Sequence, residues 1–456
     1  MFKPLKAFTK YTFVLIIAVN CWLSNAQEGF FLKDDVGEKI NFQLISNLII
    51  IPIEINNVTL SFILDTGVSN PILFNLTERD SLDLKNTKSF YLHGLGGDGK
   101  IEALKSSHNK FRIGDAVSIN QDLFVVFDET INFTPRLGIS VNGIIGYDVF
   151  KNYVVEINYN SKYIRLYNPN RYKPKTSKKW KAIPITIHSK KPYLDAKVII
   201  SENEKLVKLL IDTGSSDALW LFEDKKTGLA PYKDLFFTDY LGKGLSGSVY
   251  GKRSKVKNFE ISDFNLKNVN VAFPDSTSIN VAKVYKERKG SLGGSILKRF
   301  NLFFDYTNEK LYLKKNSFFR ESFTYNNSGI VIEHNGVRFV KEQIRVPNKG
   351  NYNRNNNNSQ AVQIDFSINY IMSLQPAYKI VEIRPSSNAY AVGLKKGDVL
   401  ININGKPVHD YELAGINKIL HGKTGKSIRL KIERKGVELF FKFKLDDAFK
   451  INEPSN

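Results

Sequence analysis

The chain has 456 residues, one cysteine, six histidines and a formal net charge of +21. That length admits about three domains of ordinary size. A single cysteine excludes a disulfide framework and any zinc site built on cysteines. Although the charge is basic, Lys and Arg are spread along the whole chain without a helix-turn-helix or RNP signature, which argues against nucleic acid as a partner.

In chain order, Lys3, Lys6 and Lys10 precede an apolar run from Tyr11 to Leu23, followed by the small-residue stretch Ser24-Asn25-Ala26. This pattern predicts a secretory signal peptide over residues 1–26, and hence an exported protein (periplasmic, cell-surface or secreted) with no stable membrane span in the mature chain. Leu48 to Ile51 and Ile53 to Ile55 then read as strand, with Asn56-Asn57 as a turn. The next apolar run, Phe62-Ile63-Leu64, ends on Asp65-Thr66-Gly67-Val68. A carboxylate placed directly after a buried strand is costly unless something uses or satisfies it. Gly94, Gly96 and Gly97 lie in a glycine-rich stretch with no Lys-Ser/Thr and no helix following where a phosphate loop needs them, so a hairpin tip is expected there.

After Gly143-Ile144-Ile145-Gly146 the same series starts again. Leu209-Leu210-Ile211 ends on Asp212-Thr213-Gly214-Ser215, and Asp65 and Asp212 are 147 positions apart. At the same offset Gly290-Ser291-Leu292-Gly293 falls on the Gly143 segment, and Phe304-Asp305-Tyr306 on Ile157-Asn158-Tyr159. The glycine-rich hairpin also has a counterpart, Leu241 to Gly247. A duplication of this period predicts two homologous lobes, not a solenoid. The basic run Lys173 to Lys181 between them reads as a solvated connector.

From Phe323 the character changes. Ser328 to Ile332 reads as a short strand, and an Asn-rich insertion near 341–362 reads as a disordered loop. Tyr378 to Ile383, Val399 to Ile403, Ser427 to Glu433 and Glu438 to Leu445 read as strands. Glu412 to Leu420 reads as an amphipathic helix with Leu413, Ile416 and Leu420 on one face. Those three either line a groove or pack into the core, and the pattern leaves both open.

The doubled apolar-Asp-Thr-Gly, each with a later apolar-Gly, resembles the aspartic peptidases of the pepsin and retropepsin clan. The resemblance implies a mostly β fold of two lobes (27–171 and 181–320, joined by 172–180). It implies Asp65 and Asp212 as the catalytic pair, with Thr66, Gly67, Thr213, Gly214 and Ser215 as their support and Gly94, Gly96 and Gly97 in a substrate-covering flap. No metal and no cofactor is implied. Val68 departs from the Ser or Ala usual in these families, and Ser291 from the usual apolar residue. The block from Ala391 to Val408 resembles a bacterial-type PDZ domain, a small α+β unit expected over 321–450. That resemblance implies a peptide groove formed by Gly329, Ile330, Leu413, Ile416 and Leu420. The combined expectation is an exported aspartic endopeptidase acting on peptide or protein substrates, with C-terminal peptides as ligands of the PDZ domain. An inactive peptide-binding scaffold is the alternative, with Val68 as its one supporting feature.

Overall fold

The computed structural model describes residues 29–76, 82–97, 99–128, 130–174, 177–232, 235–347 and 366–449. The predicted signal peptide and the Asn351 to Asn358 run lie outside the described residues. The protein is mostly β.

The duplication in sequence is a duplication in topology. In the first lobe one eight-stranded sheet runs Gln43–Ile45, Leu48–Ile55, Val58–Leu64, Gly143–Ile145, Ile72–Leu73, Ala116–Val126, Ile101–Ile113, Lys88–Leu92. In the second the order is Thr186–His188, Lys191–Ile200, Asn203–Asp212, Arg288–Gly293, Leu219–Leu221, Phe264–Pro274, Gly247–Ile261, Phe237–Gly244. In both, the strand that ends at the aspartate lies parallel to the later apolar-Gly strand. That strand is flanked on its other side by the short strand following the Asp-Thr-Gly turn. The aspartate is therefore delivered at the C-terminal end of an interior strand. Asn56 and Asn57 turn the hairpin between Leu48–Ile55 and Val58–Leu64 with φ of 46° and 72°, a left-handed pair that asparagine tolerates.

A six-stranded sheet joins the lobes beneath, in the order Ile40–Asn41, Tyr163–Tyr167, Val154–Asn158, Phe300–Asp305, Lys310–Lys315, Lys181–Pro184. Its central pair is one strand from each repeat, with Val154 opposite Asp305 and Ile157 opposite Leu302. One buried core runs continuously through both lobes and this sheet. Fully buried phenylalanines such as Phe62 and Phe304 anchor it, and each contributes about 1.5–3 kcal/mol. The basic connector is tied down at both ends: Tyr172 and Trp180 pack on Phe303 with ring centroids 5.3 and 5.1 Å apart.

The C-terminal unit has its own core and a sheet of Ile330–Pro347, Phe366–Ile383, Val399–Ile403, Ser427–Arg434 and Val437–Lys444, covered by the helix Leu413–Leu420. Two expectations are corrected here. The strand after Gly329 is not short: it spans 18 residues and pairs with a partner of equal length, from Ile330 opposite Ile383 to Pro347 opposite Phe366. Residues 341–347, expected in a disordered insertion, belong to that hairpin. Its mixed pattern of polar and apolar residues hides it from sequence reading, because cross-strand pairing supplies the ordering that an isolated segment lacks.

This unit is docked on the second lobe. Tyr325 Oη lies 2.6 Å from the Ser254 carbonyl, and Phe237 packs on Phe449 with centroids 5.3 Å apart. It also meets the first lobe, where Gly138 follows the helix Thr134–Leu137 in a left-handed conformation and abuts the side chain of Leu413.

Candidate active site

Asp65 and Asp212 come together at the floor of the cleft between the two eight-stranded sheets. The two threonines hold them there. Thr66 N donates to Thr213 Oγ1 at 3.0 Å, and Thr213 N donates to Thr66 Oγ1 at 3.1 Å. Each hydroxyl then donates across the interface, Thr66 to the Ile211 carbonyl at 2.6 Å and Thr213 to the Leu64 carbonyl at 2.7 Å. Both threonines are fully buried, so losing any of these bonds would leave a buried polar group unpaired. The lattice is symmetric and fixes the spacing of the two aspartates that precede it.

The glycines complete the turn. Gly67 N donates to Asp65 Oδ1 at 2.7 Å and Gly214 N to Asp212 Oδ1 at 3.1 Å. A Cβ on Gly214 would lie 2.2 Å from Asp65 Cγ, so only glycine permits the carboxylates to approach. A Cβ on Gly67 would lie 3.0 Å from Asp65 Oδ1 and 3.5 Å from Asp212 Cγ. Ser215 and Val68 occupy equivalent places, and among the described residues neither side chain hydrogen-bonds its aspartate. Ser215 acts through its backbone: its N–H points to the Asp212 carbonyl at 3.4 Å, and its carbonyl accepts from Gly294 N at 2.7 Å. The serine-to-valine difference therefore removes no bond from the pair.

Burial raises both carboxyl groups, since desolvation disfavours charge. Asp65 is pushed up to about 7, by burial first and then by the Asp212 charge, with the Gly67 N–H and Lys191 opposing. Asp212 rises less freely because Arg288 and Lys191 face it and Asp65 donates to it. The two carboxyls titrate as a coupled pair, with burial and the neighbouring charge favouring the protonated form at Asp65. Lys191 and Arg288 were not marked by any sequence motif. Both are held below their ordinary values, mainly by burial.

Two hairpin tips, one from each lobe, meet each other. Ser246 N donates to the Leu95 carbonyl at 2.9 Å, Gly94 N to Ser246 Oγ at 3.0 Å, and Gly96 N to the Ser278 carbonyl at 3.1 Å. Gly96, with φ of 111°, lies so close to Gly247 that a Cβ would meet its backbone at 2.2 Å. Leu95 of the first lobe packs into the apolar cluster of the second, around Trp220 and Phe222. Leu245 of the second packs into that of the first, around Ile50 and Phe74. Gly94, Gly96 and Gly97 lie in one of two hairpins that meet across the lobes, and the exchange of leucines is what sequence reading missed.

Residues 51–149 match the family model for an aspartyl protease, and residues 379–434 match that for a PDZ domain. The first match falls on the first lobe and the second on the C-terminal unit. No curated protein matches it. In the C-terminal unit Ile330, Leu413, Ile416 and Leu420 are buried in the core. Gly329, with φ of 71°, abuts Ser387. The segment 130–138 of the first lobe touches both the second lobe and the C-terminal unit. Arg136 Nη1 donates to Tyr240 Oη at 2.5 Å, Lys243 reaches the Thr130 carbonyl, and Gly138 lies against Leu413. Among the described residues no helix is long and apolar enough to cross a membrane, and no group of three or more His, Cys, Asp or Glu is arranged to hold a metal.

Proposed function

We propose that the protein is an exported aspartic endopeptidase whose single chain supplies both catalytic aspartates and whose PDZ domain recruits or positions peptide substrate. The observation that carries this reading is the Asp65–Asp212 pair, held by reciprocal threonine bonds beneath two meeting hairpins. Asp212, ionised, accepts a proton from a water held between the two carboxyls, and that water attacks the scissile carbonyl. Asp65, protonated, hydrogen-bonds to the developing oxyanion, and a proton then passes to the leaving nitrogen. For substrate to enter, the hairpin tips must part, exchanging their mutual bonds and the two swapped leucines for contacts with an extended peptide. Export rests on the Lys3 to Ala26 pattern. In the PDZ domain an extended peptide adds to a sheet edge through main-chain hydrogen bonds.

The test is an unbiased peptide library incubated with the full chain across acid to neutral pH. Internal cleavage blocked by pepstatin is the expected result. An intact library at every pH, with the protein folded, contradicts the reading and leaves a peptide-binding scaffold.

A further inference from the structure

The two lobes share one backbone plan, so each residue near the dyad has a counterpart across it. Leu48 and Lys191 each open the strand after a left-handed pair, Ser46-Asn47 (φ 49° and 67°) in the first lobe and Ser189-Lys190 (φ 49° and 65°) in the second. Ile50 pairs with Ile63, and Tyr193 with Leu210. Each ladder, continued by two residues, sets Leu48 beside Asp65 and Lys191 beside Asp212. Likewise Val141 and Arg288 both stand two residues before the glycine of the apolar-Gly strand, and Ile144 and Ser291 directly after it.

In the first lobe all these positions are apolar. Leu48, Ile50, Val141 and Ile144 are buried in one cluster with Ile63 and Phe74. In the second lobe the same positions carry Lys191, Tyr193, Arg288 and Ser291. The change is concerted. Arg288 Nη2 donates to Ser291 Oγ at 2.7 Å and Nε to the Gly290 carbonyl at 3.1 Å, with the guanidinium 5.3 Å from the Phe222 ring centroid. The serine that departs from the usual apolar residue is there to hold the arginine. Arg288 is only 7% exposed, its Nη1 meets no acceptor among the described residues, and neither cation lies within ion-pair distance of a carboxylate there. Nearby Lys208, by contrast, is paired with Asp195 at 3.6 Å and Glu287 at 3.4 Å. A buried and a half-buried cation with no carboxylate at ion-pair distance among the described residues leave positive charge uncompensated, which is costly unless an incoming group offsets it.

We infer that Lys191, Arg288 and Ser291 form a subsite for a substrate carboxylate on the second-lobe side of the scissile bond, opposite an apolar subsite on the first-lobe side. The inference rests on the peptidase reading above. The carboxylate comes from an Asp or Glu side chain or from a free C-terminus, and both present the same pair of oxygens to a planar guanidinium.

The experiment compares amidated peptides that differ only by Glu or Gln at each residue flanking the scissile bond, together with neutral peptides carrying a free or an amidated C-terminus. Full-length protein should cut the Glu peptide with kcat/KM higher by about tenfold or more at one flanking position only. Should the terminus be the source, the free acid gains that factor over its amide instead. In Lys191→Leu and in Arg288→Val the ratio of kcat/KM for the Glu peptide to that for its Gln twin, taken at each variant's own pH optimum, should collapse towards one, and Lys191→Arg should restore it. Equal rates for Glu and Gln together with equal rates for acid and amide overturn the subsite. So does a preference that survives both substitutions. A chain that cuts none of these peptides fails the peptidase reading instead, and the subsite is then judged by anisotropy of the fluorescent Glu peptide. Displacement by its Gln twin with equal affinity would overturn it.

Discussion

The two lobes of the protease domain agree in backbone and differ in chemistry, and the division between the two is informative. Strand order, the Asp-Thr-Gly turns and the threonine bonds repeat almost without change. The cleft walls do not: the first is aliphatic around Leu48, Val141 and Ile144, and the second is cationic around Lys191 and Arg288. Symmetry builds a pair of carboxyls at fixed spacing, and asymmetry then gives them different surroundings. Arg288 and Lys191 both oppose the rise at Asp212, whereas of these two cations only Lys191 acts on Asp65, alongside the Gly67 N–H.

The largest test of that division lies in the glycines. Gly214→Ala places a methyl 2.2 Å from Asp65 Cγ and should slow peptide hydrolysis by about 10²-fold or more. Gly67→Ala meets its nearest atom at 3.0 Å and should cost about tenfold or less. Equal losses in purified, folded variants would mean that the carboxyls are not arranged as described. The threonines should behave in the opposite way. Thr66→Val and Thr213→Val each orphan a buried N–H, so denaturant unfolding should report a similar loss of about 1–3 kcal/mol for both.

A third effect is on pH. Activity needs one proton on the pair, so the rate should fall as pH rises past about 7, where Asp65 loses its proton. Lys191 lowers that value, so Lys191→Met should move the alkaline limb to higher pH. Stability follows the same sign. The folded value of Asp65 lies above its ordinary 3.8, so folding favours the protonated form. That contribution is complete below about 4 and lost as pH rises towards about 7. Thermal unfolding of Asp65→Asn should lack this loss. The smallest expected effect is that of Val68→Ser. Because Ser215 gives its aspartate no side-chain bond, a serine at 68 should leave kcat within about twofold.

Much of this was legible in the chain. The repeat at a fixed offset locates both aspartates, both threonines and both apolar-Gly strands, and the Ala391 to Val408 block marks the PDZ domain. What was not legible depends on contacts between the copies. The pairing of Val154–Asn158 with Phe300–Asp305 joins strands far apart in sequence, and no local periodicity announces it. Leu95 and Leu245 look like ordinary tip residues until each is seen in the other lobe's cluster. Lys191 reads as one more lysine in a basic chain, and only its position opposite Leu48 gives it meaning. The face of Leu413, Ile416 and Leu420 has the same period whether it lines a groove or packs a core, so the sequence alone does not show that it is buried.

The central claim is that the two copies together supply one acid–base pair. Purified Asp65→Asn, Asp212→Asn and the double variant, assayed on the same peptide library at mildly acid pH, test it most directly. Each single substitution should abolish cleavage with the fold intact, and the double should be no worse than either single, because residues that act as a unit are not additive. A single variant that still cuts at near the wild-type rate would contradict it.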